Sequence, residues 1–308
     1  MLVDKHSPDE SDESFRVLIA RPNVRFVRTD LTLPGCLDDV PLDIDFVFHG
    51  AAILGVQQVL DAPDRVLEVN ASSTLNVFKF ARRLTGLRRI VFASTSEVYA
   101  GTKRFGIPLP TPEDVAVCVD DVRLARTSYA MSKIYGEAIA FAWRNAHGMP
   151  VTVVRYHNVY GPRMGFRHVV PQTIEKIVRA TSEVDVPSAG HTRAFCYIDD
   201  AVEATVRCFQ AERADGEIIN IGSSAEEISI RSLVEKIALV MQRKVTIREL
   251  AETPGSPVRR CPDTTKLQRI TGFSARIALD EGLRRTWSWY KDHLLANDAP
   301  NRRKPGSA

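Results

Sequence analysis

Ile90-Val91-Phe92-Ala93-Ser94-Thr95-Ser96-Glu97-Val98-Tyr99 is an apolar run that gives way abruptly to hydroxyls and a carboxylate. Such a run reads as a buried strand, and the carboxyl end of a strand is where open α/β sheets place their ligands. About thirty residues on, Ser128-Tyr129-Ala130-Met131-Ser132-Lys133 opens a helical pattern whose four-residue spacing brings the Tyr129 hydroxyl and the Lys133 ammonium to one face. A neighbouring cation favours tyrosinate. The spacing therefore predicts a phenol whose pKa is lowered toward neutrality, able to take an alcohol's proton as hydride leaves the adjacent carbon. Tyr-x-x-x-Lys alone recurs by chance as a surface lysine beside a half-buried tyrosine; the strand ahead of it gives it a context.

Outward from this pair the alternation continues. Residues 24–27, 46–49 and 151–155 are further short strand-like runs, while 71–84 and 129–146 have helical periodicity with no interior proline. Strands alternating with helices predict an α/β fold with a doubly wound parallel sheet over residues 1–163. Beyond it the pattern is that of a smaller α/β lobe over 164–295, with helices at 169–181, 200–210 and 230–241. In a last helix Leu283, Trp287, Tyr290 and Leu294 share one face and Asp280 is placed as its cap, so that the stripe is core. Residues 296–308 read as a disordered tail.

Composition limits what such a chain does. At 308 residues with 44% hydrophobic and 26% charged side chains, it has material for one large core or two unequal ones. A net charge of +3 is too small for a nucleic-acid footprint, and the basic run Arg302-Arg303-Lys304 falls in the tail. The cysteines, Cys36, Cys118, Cys196, Cys208 and Cys261, form no Cys-x-x-Cys pair, so neither a metal site nor a disulfide framework is expected. The acidic stretch Asp9-Glu10-Ser11-Asp12-Glu13 stands where a signal peptide needs an apolar core, and no apolar run approaches the ~20 residues of a membrane span. The expected location is cytoplasmic, with no membrane partner.

The strand, the run Ser94-Thr95-Ser96-Glu97-Val98-Tyr99 and the Tyr129-x-x-x-Lys133 helix together resemble the NAD-dependent epimerase/dehydratase family of extended short-chain dehydrogenases. The resemblance implies a Rossmann-like sheet, NAD as cofactor, a nucleotide-diphosphate sugar as substrate, and a homodimer formed through the two helices of the first region. It makes Thr95 the partner of the sugar hydroxyl being oxidised, Tyr129 the base, Glu97 a catalytic carboxylate near the reacting carbons and Lys133 also a ligand of the nicotinamide ribose. Other segments agree. Asp45-Phe46-Val47-Phe48-His49-Gly50-Ala51-Ala52 is similar to the family's fourth strand, where Ala51 and Ala52 pass close to the cofactor. Asn70 in Val69-Asn70-Ala71-Ser72-Ser73-Thr74 matches a helix start, with Ser73 in place of the family's glycine, and Asp30 falls where the family contacts adenine. Arg155-Tyr156-His157-Asn158-Val159-Tyr160-Gly161-Pro162-Arg163 resembles the loop that supports the nucleotide sugar, making Asn158 and Arg163 substrate residues together with Ser96. Thr192-Arg193-Ala194-Phe195 and the region of Arg259 match segments whose arginines reach the substrate diphosphate, a task suited to a guanidinium fork.

The family opens with a strand, a Gly-x-x-Gly-x-x-Gly loop and a helix, whose backbone amides cradle the pyrophosphate. Here Met1-Leu2-Val3-Asp4-Lys5 is similar instead to the family's second strand, with Asp4 as the ribose-binding acid. The expectation is a sheet lacking its first βα unit, which in the order 3-2-1-4-5-6 lies between the second and fourth strands. The second strand would then pair with the fourth, a strand would be borrowed, or backbone groups would go unpaired. Activity is expected once the missing unit is supplied; the reading from another class is a non-catalytic nucleotide-sugar-binding subunit that has lost NAD binding. Thr95-Ser96-Glu97 lacks the Asp-Glu pair of the family's dehydratases, because Ser96 cannot serve as an acid at neutral pH. The segment is similar to that of UDP-glucuronate decarboxylases, although Ile53-Leu54-Gly55-Val56-Gln57-Gln58 lacks their Pro- and Tyr-containing loop, and a UDP-sugar 4-epimerase is the alternative.

Overall fold

The structure, a computed structural model, describes residues 1–7, 13–101, 106–253 and 257–296. In chain order the elements are β1 (Leu2–Asp4), α1 (Glu13–Ile19), β2 (Phe26–Arg28), β3 (Phe46–His49), α2 (Val56–Asp61), α3 (Pro63–Ala81), β4 (Arg89–Thr95), α4 (Thr127–His147) and β5 (Val151–Tyr156). They continue with β6 (Val159–Tyr160), α5 (Val169–Arg179), β7 (Glu183–Pro187), β8 (Thr192–Ala194), β9 (Cys196–Tyr197), α6 (Ile198–Gln210) and β10 (Ile218–Ile221). β11 (Glu227–Ser229), α7 (Ile230–Val240), β12 (Thr246–Leu250), β13 (Arg259–Arg260), α8 (Thr265–Thr271) and α9 (Leu279–Ala296) complete the series. Two compact units result, the first made of Met1–Thr102, Ala116–Arg155 and Cys208–Ile218, the second of the remaining segments.

In the first unit the central strands are buried on both faces, as their continuous apolar runs require. Every residue of β4 except Thr95 is buried, and so is every residue of β5 except Tyr156. Arg89, inside this sheet, is accommodated because it donates to Thr152 Oγ1 at 3.1 Å and to the Ala211 carbonyl at 3.2 Å. β3 runs parallel to β4, Phe46 opposite Arg89 through His49 opposite Phe92, and the sheet order is β10-β5-β4-β3. Phe78, Ile90, Phe92, Ile139 and Val153 form the core between this sheet and its helices.

α4 approaches β4 closely because Gly136 has no side chain; a Cβ there would run into the Phe92 ring. Gly136→Ala is therefore expected to cost about 1–3 kcal/mol through overpacking, more than the ~1 kcal/mol that alanine returns as helix propensity. A fall in the urea midpoint would show it, whereas an unchanged midpoint would mean that the helix has room to move off the strand.

β1 and β2 form their own parallel pair, Leu2 opposite Phe26 through Asp4 opposite Arg28, separate from the four-stranded sheet. β1 and β3 do not ladder onto each other, so the pairing of the second with the fourth strand is not adopted. Val3 and Val47 nevertheless pack on the same core. At the β3 edge, Phe46 and Phe48 are 41% and 51% exposed and pack edge-on against Phe209 at 5.7 and 6.4 Å. α3 begins at Pro63 rather than at 71, because proline is well suited to the first helical position.

The second unit is built from small sheets under helices: β6 with β9, β7 with β12, and β8 between antiparallel β11 and parallel β13. Its core includes Tyr160, Ile174, Leu233, Ile237, Leu283 and Tyr290 with Trp287 packed against it, so the Leu283, Trp287 and Tyr290 part of the α9 stripe is core. Asp280 lies inside the first turn of α9, not at its cap, and pairs with Lys236 Nζ at 2.7 Å. The side chain of Leu294 and residues 297–308 lie outside the described residues. Among the described residues no helix is long and apolar enough to cross a membrane, and no cluster of His, Cys, Asp or Glu could hold a metal.

Candidate active site at the end of strand β4

Thr95 closes β4 in extended conformation, and its hydroxyl caps the 3-10 turn Ser96–Tyr99 by accepting from Glu97 N at 3.2 Å. The strand therefore delivers Thr95, buried Ser96 and half-buried Glu97 together at its carboxyl end. In the first turn of α4 the Tyr129 phenol lies near the Thr95 side chain, whose hydroxyl opposes the rise of its pKa. One turn on, Lys133 is buried, donates from Nζ to the Ala93 carbonyl at 2.7 Å, and lies 5.9 Å from the Tyr129 ring centroid. Thr95, Ser96, Glu97, Tyr129 and Lys133 thus form one constellation within the first unit.

The electrostatics run against the spacing argument. Burial, assisted by the Glu97 carboxylate, pushes Tyr129 up to about 12, rather than down toward neutrality. Burial also lowers Lys133 to about 8, with Glu137 opposing the fall. In this dry site the ammonium gives up its proton before the phenol does, so the cation is lost over the range where it would favour tyrosinate.

Asn70 lies within α3, not at its start, and ties two elements together. Its Oδ1 accepts from Ile53 N at 2.7 Å, and its Nδ2 donates to Ile53 O at 3.1 Å and Ser132 Oγ at 3.0 Å. It thereby fixes the segment after β3, including exposed Ala51 and half-buried Ala52, to the helix of Tyr129. His49, buried at the end of β3 with Nε2 3.0 Å from Thr74 Oγ1, is lowered to about 3 by burial and by the charge of Lys133. Asp4 ends β1 and accepts from His6 N at 2.9 Å. Asp30 accepts from both the amide and hydroxyl of Thr32, at 2.9 and 2.7 Å, which holds its carboxyl below the usual range. That geometry makes it a turn residue at least.

The nicotinamide-ribose end of a dinucleotide fits these residues. Lys133 Nζ, with three protons, has Ala93 O as its hydrogen-bond acceptor among the described residues, and Ser128 Oγ beside Tyr129 is buried without a partner. For the pyrophosphate, no Gly-x-x-Gly-x-x-Gly occurs in the sequence.

The other predicted substrate residues belong to the second unit. Asn158 takes a left-handed conformation, φ 40°, and donates from Nδ2 to Ala194 O at 2.8 Å; Arg163, φ 64°, follows the Gly161-Pro162 turn. Buried Arg193 donates from Nη1 to Thr192 O at 2.7 Å. Arg259 turns its fork onto Glu227, Nε to Oε1 at 3.0 Å and Nη2 to Oε2 at 2.7 Å. The β8–β13 register sets Arg259 beside Thr192 and Arg260 beside Arg193, so the guanidinium sharing a face with Arg193 is that of Arg260. The sequence presents two adjacent arginines, and only strand pairing says which one faces which way. Motif spacing singles out neither Glu137 nor Ser132, and places Arg155 only at the end of a strand-like run and the start of a loop, although Lys133-x-x-x-Glu137 repeats the one-turn spacing of the Tyr–Lys pair.

A Tyr-x-x-x-Lys helix laid along the hydroxyl-bearing end of a parallel strand is the arrangement of the short-chain dehydrogenase/reductase class. Within that class the chain belongs to the NAD dependent epimerase/dehydratase family, which matches residues 3–222. It is 35% identical over 267 residues to UDP-N-acetyl-alpha-D-glucosaminuronate decarboxylase of Bacillus cytotoxicus, covering 82% of this chain and 78% of that one. To UDP-glucuronic acid decarboxylase 5 of Arabidopsis thaliana it is 29% identical over 277 residues, 89% and 76% of the two chains. A variant of UDP-glucuronic acid 4-epimerase from Bacillus cereus, solved with UDP-4-deoxy-4-fluoro-glucuronic acid and NAD, shares the fold with a TM-score of 0.81 at 24% identity, over 94% of this chain and 90% of that one.

Proposed function

We propose that the chain decarboxylates a UDP-uronate, glucuronate or its 2-acetamido counterpart, by way of a transient ketone at C4. The observation that carries this reading is the meeting of Thr95, Tyr129 and Glu97 at the end of β4, with buried Ser96 in place of an acid that dehydration would require. NAD, when bound, supplies the hydride acceptor for oxidation at C4 and the hydride for the closing reduction. Tyr129, in its tyrosinate form, takes the proton of the C4 hydroxyl, oriented by Thr95; with the pKa raised, that form becomes more populated as pH rises. A C4 ketone makes the C6 carboxylate that of a β-keto acid, so the C5–C6 bond breaks with its electron pair entering C5 and the C4 oxygen. The phenol formed when Tyr129 takes the C4 proton hydrogen-bonds that oxygen as charge builds on it; a proton then enters C5, which restores the C4 ketone, and the phenol returns its proton to the C4 oxygen in the closing reduction. Within the second unit, Arg193 and Arg260 share one face of the β8–β13 pair, an arrangement suited to a phosphate group. Exposed Leu67 on α3 and Tyr135 on α4 suit a homodimer, which light scattering would test.

The purified chain with NAD, given UDP-glucuronate and UDP-N-acetylglucosaminuronate, is expected to release carbon dioxide and a UDP-sugar lighter by that amount in mass spectrometry. An isomer of unchanged mass would establish the 4-epimerase instead. Binding of the UDP-sugar in calorimetry, with neither turnover nor NAD binding, would make the chain a nucleotide-sugar-binding subunit. The same calorimetry on a form carrying a Gly-x-x-Gly-x-x-Gly βα unit ahead of β1 tests whether that unit is what NAD requires.

A further inference from the structure

Glu137 lies one turn beyond Lys133 on α4 and is 5% exposed. A carboxylate so deep is costly unless its oxygens are satisfied. Oε1 accepts from Ser94 Oγ and from Arg155 Nε at 2.9 Å, and Oε2 accepts from Arg155 Nη2 at 2.7 Å. The same guanidinium donates from Nη1 to Tyr99 Oη at 2.7 Å and sits 4.8 Å from the centroid of that ring. Ser94 immediately precedes Thr95, and Tyr99 ends the turn that carries Ser96 and Glu97. Both ends of the reacting turn are thus fastened through one ion pair to the helix that carries Tyr129 and Lys133.

We propose that Glu137, held by Arg155, is a positioning residue that sets the Thr95–Glu97 turn against Tyr129 and Lys133. Holding strand and helix together does not call for it: Gly136 against Phe92 already packs α4 on β4, and apolar side chains fill such a space as stably as a buried ion pair. An apolar pair has no directional bonds with which to aim a serine hydroxyl and a tyrosine phenol. The carboxylate also acts on Lys133 directly, opposing the loss of its proton to burial. The charged and titratable groups around that ammonium are Tyr129 and Glu137 on α4 and His49 on β3, with Glu97 acting on Tyr129 and Arg155 on Glu137.

The inference rests on Tyr129 and Lys133 being the reacting pair, so its test has one readout that needs no turnover. The pH dependence of Lys133 acetylation by acetic anhydride, read by peptide mass spectrometry, is measured in wild type, E137Q, E137D and the charge-free pair E137Q/R155M. The wild-type midpoint is expected near 8, falling by ~1 unit in E137Q and in the double variant and recovering in E137D. With substrate and NAD, kcat should fall by about 10²-fold with KM little changed. A shifted midpoint without any turnover, in wild type as well, would keep the placement of Glu137 and sink the proposed reaction. An unchanged midpoint in a folded variant, or failure of both E137Q and the double variant to fold, would assign the pair a purely structural role and overturn the proposal.

Discussion

Tyr129→Phe is expected to reduce kcat by about 10³-fold while leaving nucleotide-sugar affinity and the folded structure essentially intact. The ring stays, with its contact to Lys133, and what is removed is the hydroxyl beside Thr95 that the proposed reaction uses to exchange a proton with the sugar oxygen. The variant has a second signature that does not depend on the substrate. A phenol raised from 10.0 to about 12 keeps its proton in the folded chain after the unfolded chain has lost it. The stability associated with that proton is complete below pH 10 and is lost as pH rises to about 12, a difference on the order of 2–3 kcal/mol. Lys133 works the other way: lowered from 10.5 to about 8, it favours folding increasingly as pH rises across that interval. Subtracting the Tyr129→Phe stability curve from the wild-type curve cancels the lysine and leaves the phenol. A flat difference between pH 10 and 12 would show that Tyr129 is solvated, and a kcat within tenfold of wild type would remove it from the proton path.

That raised phenol marks where the sequence was readable and where it was not. The Tyr129–Lys133 juxtaposition followed from helix geometry, because four residues always return to the same face. The direction of the pKa did not follow, because spacing gives distance and says nothing of the dielectric, and burial outweighs a cation that is itself deprotonated first. β4 was legible from its unbroken apolar run, which leaves few conformations other than a buried strand. The separation of the β1–β2 pair from β3 was not, since strand pairing is decided between segments far apart in the chain.

The same distinction explains the arginines and the carboxylates. Arg259 and Arg260 are equivalent as letters; the register with β8 turns the first toward Glu227 and sets the second beside Arg193. Glu137 on a helix reads as one more solvated acid until β5 is known to deliver Arg155 beneath it. Asn70 lies within α3 rather than at a helix start, because Pro63 looks like an interruption in the sequence and serves as a first helical residue.

Arg155→Met should be the most destabilising single change in the first unit, costing about 3–5 kcal/mol in urea unfolding. It removes both guanidinium bonds to Glu137 and the bond to Tyr99, leaving a carboxylate 5% exposed with Ser94 as its remaining partner in this network. The Glu137 charge then has either to stay ionised without its cation or to take up a proton, and each is costly in a site that water does not reach. The double variant E137Q/R155M lacks the stranded charge, so it is expected to recover most of the lost stability, a strongly non-additive pair as contacting residues give. Recovery of stability without recovery of kcat would separate what the ion pair does for the fold from what it does for the turn. If Arg155→Met alone costs less than ~1 kcal/mol, the pair is hydrated as a surface salt bridge would be, and Glu137 has no hold on the Thr95–Glu97 turn.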